Sequence, residues 1–203
     1  GYPGSFTNFT KWVPSWGIDM YGAKSTGIEK NEFIGPSGGP TPYLWETNYA
    51  VLSDNSNKYS SSYIYNNTMS GRMTSAVQAG KHNNRLGIEC NEFNSKGYAI
   101  YGTIKNNLPN QGDCVSENPA GNDFNYHHNN NCTGNEHLKV IEPGTQNKTL
   151  VYSHHDPDQD FPNVEPVCIN NALQNKDLVY IDNDNCDVDK EDVDCDQGAN
   201  IAP

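Results

Sequence analysis

Glu29 and Glu32 stand inside the phrase GIEKNEF at residues 27–33, and the phrase returns as GIECNEF at 87–93, bringing Glu89 and Glu92 in the same places. Two carboxylates on one face are the basic equipment for acid/base cleavage of a glycosidic bond. Asp19, in GIDMYG, adds a third acid on a strand-like phrase, and Arg72, Lys81 and Arg85 are the available cations, with no acid cluster beside them in the repeat. His127–His128 and His154–His155, the second doublet followed by Asp156, carry donors for a transition metal or a proton-transfer pair. Asp182, Asp184, Asp187, Asp189, Asp192 and Asp194 alternate along the last quarter of the chain and offer the hard oxygens that calcium prefers. That run lacks the glycine and glutamate spacing of an EF-hand, so a solvated acidic linker competes with calcium for it. No nucleophile elbow, phosphate loop or dinucleotide fingerprint is present.

The duplicated phrase belongs to a repeat. Ile-x-x-Asn-x-Phe fits Ile28/Asn31/Phe33, Ile64/Asn67/Met69 and Ile88/Asn91/Phe93, and a fourth start at Ile104/Asn107 fails at Pro109. A second phrase of small and aliphatic residues aligns Met20, Val51, Val77 and Ile100. The unit is about two dozen residues of strand and turn, the length of one coil in a stacked parallel architecture. Residues 35–47, GPSGGPTPYLWET, read as an insertion thrown off the first coil. In each coil the Ile and Phe act as inward pegs, and the Asn between them supplies a left-handed bend, with Asn31, Asn67, Asn91 and Asn107 stacking as an amide ladder. Glu29 and Glu89 then share an outer face with Tyr65 between them, as Glu32 and Glu92 share one with Thr68 between. Their separation is about 10 Å, beyond the roughly 6.5–9.5 Å of an inverting pair. The preferred reading of the glutamates is therefore surface charge that travels with the coil.

Composition narrows the partners. The net charge is −12 and only 34% of residues are hydrophobic, so phosphate backbones and anionic lipid are repelled. No apolar run is long enough to span a bilayer. Six cysteines without a zinc-type spacing point to disulfides and an oxidising compartment, with Cys186–Cys195 the expected local bridge. The sequons at Asn8, Asn66, Asn131 and Asn147 carry no weight in so Asn-rich a chain. The aromatics Trp12, Trp16, Tyr43, Trp45, Tyr59, Tyr63 and Tyr65 crowd the N-terminal third. Of these Tyr43, Trp45 and Tyr63 are the candidate carbohydrate- or partner-binding residues, because rings in loops make good platforms for sugar faces.

The Ile-x-x-Asn-x-Phe coils resemble right-handed parallel β-helix repeats of the pectate-lyase-like superfamily. More narrowly they look like the Asn-rich β-helix segments of large secreted surface proteins of Bacteroidota-type bacteria. The resemblance implies an all-β fold, a right-handed parallel β-helix of about four coils over residues 1–106. An irregular disulfide-containing β-cap over 107–175 and an acidic Cys-containing tail or linker over 176–203 complete the expected organisation. Within the cap, residues 136–143 and 148–155 read as two strands in a hairpin-like pair. The expected role is a noncatalytic extracellular, cell-surface module with a structural, adhesive or carbohydrate-contacting function. It would meet a polysaccharide or a cell-surface partner protein, without nucleic acid or membrane insertion, as part of a larger polypeptide or assembly, with calcium as the cofactor the tail suggests. The alternative is a polysaccharide lyase or glycoside hydrolase of the β-helix type, and a third reading is a calcium-stiffened stalk with no ligand.

Overall fold

Short apolar runs punctuated by Asn and Gly make strands too brief to be stable singly, so their stability must come from pairing with other passes of the chain. The computed structural model describes residues 15–35, 48–54, 61–80, 83, 85–103, 108–113, 120–125, 137–141, 150–153, 169–170, 179–182 and 195. Among the described residues there are strands and no helix. They are β1 (Ser15–Tyr21), β2 (Gly27–Glu29), β3 (Glu32–Ile34), β4 (Asn48–Asp54), β5 (Ser62–Tyr65), β6 (Thr68–Ala79), β7 (Leu86–Glu89), β8 (Glu92–Thr103), β9 (Asp123–Phe124), β10 (Leu138–Ile141), β11 (Leu150–Ser153), β12 (Ile169–Asn170) and β13 (Val179–Asp182).

Every ladder among the described residues is parallel. The largest sheet runs β1-β4-β6-β8-β10-β12, with β3 on β6 and β9 on β8; β2-β5-β7 form a second sheet and β11-β13 a third. Each pass of the chain lays its strands on the pass before, and like residues meet. Ile28, Ile64 and Ile88 are in register, as are Phe33, Met69, Phe93 and Phe124. The third column is Ile18, Val51, Val77, Ile100, Leu138 and Ile169. Its first member is Ile18 and not Met20, because Met20 pairs with Ser53. Ile64, Ile88, Met69, Val51 and Val77 are fully buried. Each such side chain contributes about 1.5–3 kcal/mol, and Phe93 stacks on Phe124 at 5.4 Å.

The first pass carries the expected insertion. β3 and β4, separated by it, both pair with the single continuous β6, at Ile34↔Ser70 and Tyr49↔Ser75. Within β6 and β8 the chain turns at a bulge between Arg72 and Ser75. Gly97 of β8 stands opposite both Met73 and Thr74 of β6 with φ +115°, where a Cβ would run into the Met73 carbonyl oxygen.

The Asn column is an amide ladder. Asn31, Asn67 and Asn91 each donate their backbone N–H to the Oδ1 of the next Asn, at 3.0, 3.0 and 2.9 Å, the last acceptor being Asn122. The Nδ2 of Asn67 also donates to the carbonyls of Ile28 and Tyr65, and that of Asn91 to Ile64 and Glu89. Asn122 ends the ladder by donating to the Tyr152 hydroxyl at 2.8 Å. Two sequence expectations change here. The fourth rung is Asn122, in the phrase GNDF, and not Asn107, which lies outside the described residues. The left-handed residue is the one before each Asn: Lys30, Asn66, Cys90 and Gly121 have φ of 54°, 50°, 55° and 62°. The Asn must keep its own backbone extended so that its N–H can reach the neighbouring side chain.

Two more expectations are corrected. The strands at 138–141 and 150–153 exist but do not pair with each other; β10 pairs with β8 and β12, and β11 with β13, while Tyr152 bridges to Gln111. Cys195 is bonded to Cys90 and not to Cys186, across a Cα–Cα distance of 5.6 Å. Sequence proximity suggested the local bridge, but Cys90 sits on the corner where Asn66 Nδ2 also holds the Cys195 carbonyl at 3.1 Å. Cys114, Cys132, Cys168 and Cys186 lie outside the described residues.

The ladder predicts a gradient of stability. Asn91→Ala orphans several buried polar groups at about 1–3 kcal/mol each, so urea unfolding should show a loss of about 3 kcal/mol or more. Asn31→Ala, at the exposed end, should cost about 1 kcal/mol.

Candidate functional site

Alternation along each strand sends one set of residues inward and leaves the other as surface. Three outer faces result. On β2-β5-β7, Gly27, Tyr63 and Gly87 form one row and Glu29, Tyr65 and Glu89 the next. The glycines leave room for their neighbours: a Cβ at Gly27 would strike the Tyr63 ring, and one at Gly87 would sit 3.2 Å from Glu89 Oε1. Burial, then the Glu29 carboxylate that accepts its hydrogen bond and opposes a phenolate charge, hold the Tyr63 hydroxyl above the usual tyrosine range. Burial likewise pushes the Glu89 carboxyl up. Glu29 is exposed while Glu89 is half-buried, so the surface-charge reading holds for the first and not for the second. Tyr65, between them, is 3% exposed and belongs to the packed interior.

The second face follows the Asn corner. Glu32, Thr68, Glu92 and Asp123 share one row across β3, β6, β8 and β9. Glu92 accepts from Asn94 Nδ2 at 2.9 Å, Asn125 Nδ2 at 3.1 Å and Thr68 Oγ1 at 3.3 Å. Neutral donors thus fix this carboxylate as part of the wall.

The third face lies on the later halves of β4, β6 and β8 and on β10. One outer row is Asp19, Leu52, Gln78, Tyr101 and Lys139; in the neighbouring one the partly exposed Tyr49 and Tyr98 flank a buried Ser75. The Tyr98 and Tyr101 rings lie 5.6 Å apart at 31°, and Lys139 Nζ stands 5.3 Å over the Tyr98 ring. All three side chains are partly exposed. Two rings and a cation within one outer patch make a platform that can stack on a flat apolar face while meeting a charge.

Of the residues expected from sequence, Tyr63 lies on the first face, bonded to Glu29. Tyr43, Trp45, Lys81 and both His doublets lie outside the described residues, as do Asp184, Asp187, Asp189, Asp192 and Asp194; Asp182 is described only as the end of β13. Asp19 and Arg85 are exposed and Arg72 half-buried. Sequence reasoning passed over Tyr98, Tyr101 and Lys139, although GYAIYG and HLKVIE display them on strand phrases already recognised. Among the described residues no group of three or more His, Cys, Asp or Glu side chains could hold a metal ion, and no helix is long and apolar enough to cross a membrane. Comparison with protein-family models, curated proteins and solved structures finds no match to the chain.

Glu89 gives a pH test. With its folded-state pKa above the unfolded value, the native protein holds the extra proton, and the associated stability is present below the unfolded pKa and lost as pH rises through the folded one. Glu89→Gln should therefore raise Tm relative to wild type at about pH 7, with the difference vanishing near about pH 3, as read by thermal unfolding monitored by circular dichroism.

Proposed function

We propose that the chain is a segment of right-handed parallel β-helix, of the kind seen in pectate-lyase-like repeats, that serves a secreted or cell-surface protein as a noncatalytic carbohydrate-contacting module. Parallel stacking in register and the internal Asn ladder support the coil architecture, and a disulfide between distant residues suits an oxidising compartment. The observation that carries the binding role is the Tyr98–Tyr101 pair on an outer sheet face. Tyrosine rings present a rigid apolar surface with a polar edge, which matches the alternating faces and hydroxyls of a pyranose. Calcium on the acidic stretch from Asp182 to Asp194 would stiffen the tail that Cys195 ties to the coils.

A second reading, a polysaccharide lyase or glycoside hydrolase, is favoured by one observation: Glu89 is a carboxyl held above its usual range, as a general acid must be. Its nearest counterpart on the same row, Glu29, lies two strands away, with buried Tyr65 between. That arrangement leaves no adjacent base on the row, so binding without cleavage is the stronger conclusion.

The two readings separate on a panel of neutral and acidic polysaccharides, with and without calcium. The proposal expects retention on at least one polymer, no new reducing ends or unsaturated products by mass spectrometry, and a loss of about tenfold or more in affinity for Tyr98→Ala/Tyr101→Ala. Cleavage products would establish the enzyme instead, and absence of retention on every polymer would remove the carbohydrate role.

A further inference from the structure

The stretch of sheet bearing the tyrosine pair differs in charge from the chain as a whole, the sheet's carboxylates Asp19, Glu32, Asp54, Glu92 and Asp123 lying on its other strands and at the start of β8. Over residues 69–79, 93–103 and 138–141, which make up nearly all of β6, β8 and β10, the sequence contains Arg72, Lys96 and Lys139 and no carboxylate. The whole chain carries a formal net charge of −12. The basic positions are also neighbours in the fold: Arg72 is in register with Lys96 on adjacent strands, just before the bulge, and Lys139 with Tyr101. Tyr98 lies between these two points on β8, and Tyr101 is the second of them.

An acidic protein repels polyanions over most of its surface. Charges farther away than about 8 Å are largely screened at physiological ionic strength, so a local strip can still carry the opposite sign. A single exposed Lys is worth about 0–1 kcal/mol. Affinity then needs a ligand that repeats its charge and also offers faces to the rings. A polymer of anionic sugars does both.

We propose that the outer strip on β6, β8 and β10 binds a sugar polymer bearing sulfate or carboxylate groups. Tyr98 and Tyr101 take the pyranose faces, and Lys139 meets the anionic groups. This rests on the carbohydrate reading above and adds to it the place and the sign of the ligand.

Dextran and dextran sulfate share a backbone and differ in charge, and polygalacturonate with its methyl ester repeats the comparison for carboxylates. Polyglutamate supplies charge without sugar rings. With the full chain on each polymer by biolayer interferometry, the inference expects one or both anionic sugars to bind above their neutral counterparts and above polyglutamate. Lys139→Gln should lower that binding by about three- to fivefold and Tyr101→Ala by a similar factor or more, each variant retaining the wild-type unfolding transition by circular dichroism. Which anionic polymer binds distinguishes sulfate from carboxylate. Equal binding of charged and neutral sugars would overturn the inference while leaving the carbohydrate role intact. Equal binding of polyglutamate would show a surface that reads charge alone, and silence on all polymers would remove both. Should either single variant lose the folded transition, Lys139→Arg, which keeps the charge, replaces it and must bind like wild type for the inference to stand.

Discussion

One interaction organises this protein: the amide of each ladder Asn is shared between successive passes of the chain. Its Oδ1 accepts from the backbone of the preceding pass, and its Nδ2 returns a bond to a carbonyl of that pass and to one of its own. The left-handed corner residue beside it leaves peptide groups that a regular ladder cannot satisfy, and buried peptide groups without partners are costly. Asn satisfies both sides of the corner at once. Because the bond runs from one pass to the next, it also sets how far each pass is displaced along the stack, and a slip of one residue would turn every inward side chain outward. The columns of Ile, of Phe and Met, and of Ile, Val and Leu are in register because the Asn column is.

The two ends of the ladder show what the constraint requires. Asn31 is exposed at the first pass, while the last rung, Asn122, is closed by the hydroxyl of a fully buried Tyr152, whose pKa burial drives far up. Phe124, with His137 stacked on one side at 5.1 Å and Tyr152 edge-on at 6.0 Å, seals the apolar column next to it. Gln111 does for the neighbouring sheet what an Asn does at the corner, accepting from the Ile88 N–H at 2.7 Å where regular pairing lapses. Buried amides therefore carry the stack past the point where the sequence repeat fades.

The first three passes were legible because one phrase fixes both the buried pegs and the amide between them. The parallel register of Ile28, Ile64 and Ile88 follows directly from aligning them. The fourth pass was harder to see, since only Asn122, Asp123 and Phe124 survive of the phrase and Ala120 stands where the earlier passes have Tyr65 and Glu89. The left-handed position was assigned to Asn on propensity, whereas the hydrogen-bond requirement places it one residue earlier, where Lys, Asn, Cys and Gly all serve. The Cys90–Cys195 bond spans 105 residues and no local pattern encodes it. The outer faces were read for acids and loop aromatics; Tyr98 and Tyr101 were absorbed into a strand phrase because their partners across the sheet, Ser75 and Gln78, are not aromatic and no column of rings advertises them.

The surface follows from this frame. Pairing in register turns single residues in separate phrases into rows, which is how Lys139 comes to stand over a ring on β8 and how Glu92 gathers donors from three passes. The register of the passes depends on the ladder, and native-state hydrogen exchange tests that dependence most directly. The backbone N–H groups of Asn67 and Asn91, bonded to side chains and not to a strand, should exchange only with global unfolding, as slowly as those of Ile64 and Ile88 in the core. Exchange of those two amides roughly a thousandfold faster than the core would show that the amides do not hold the passes in register.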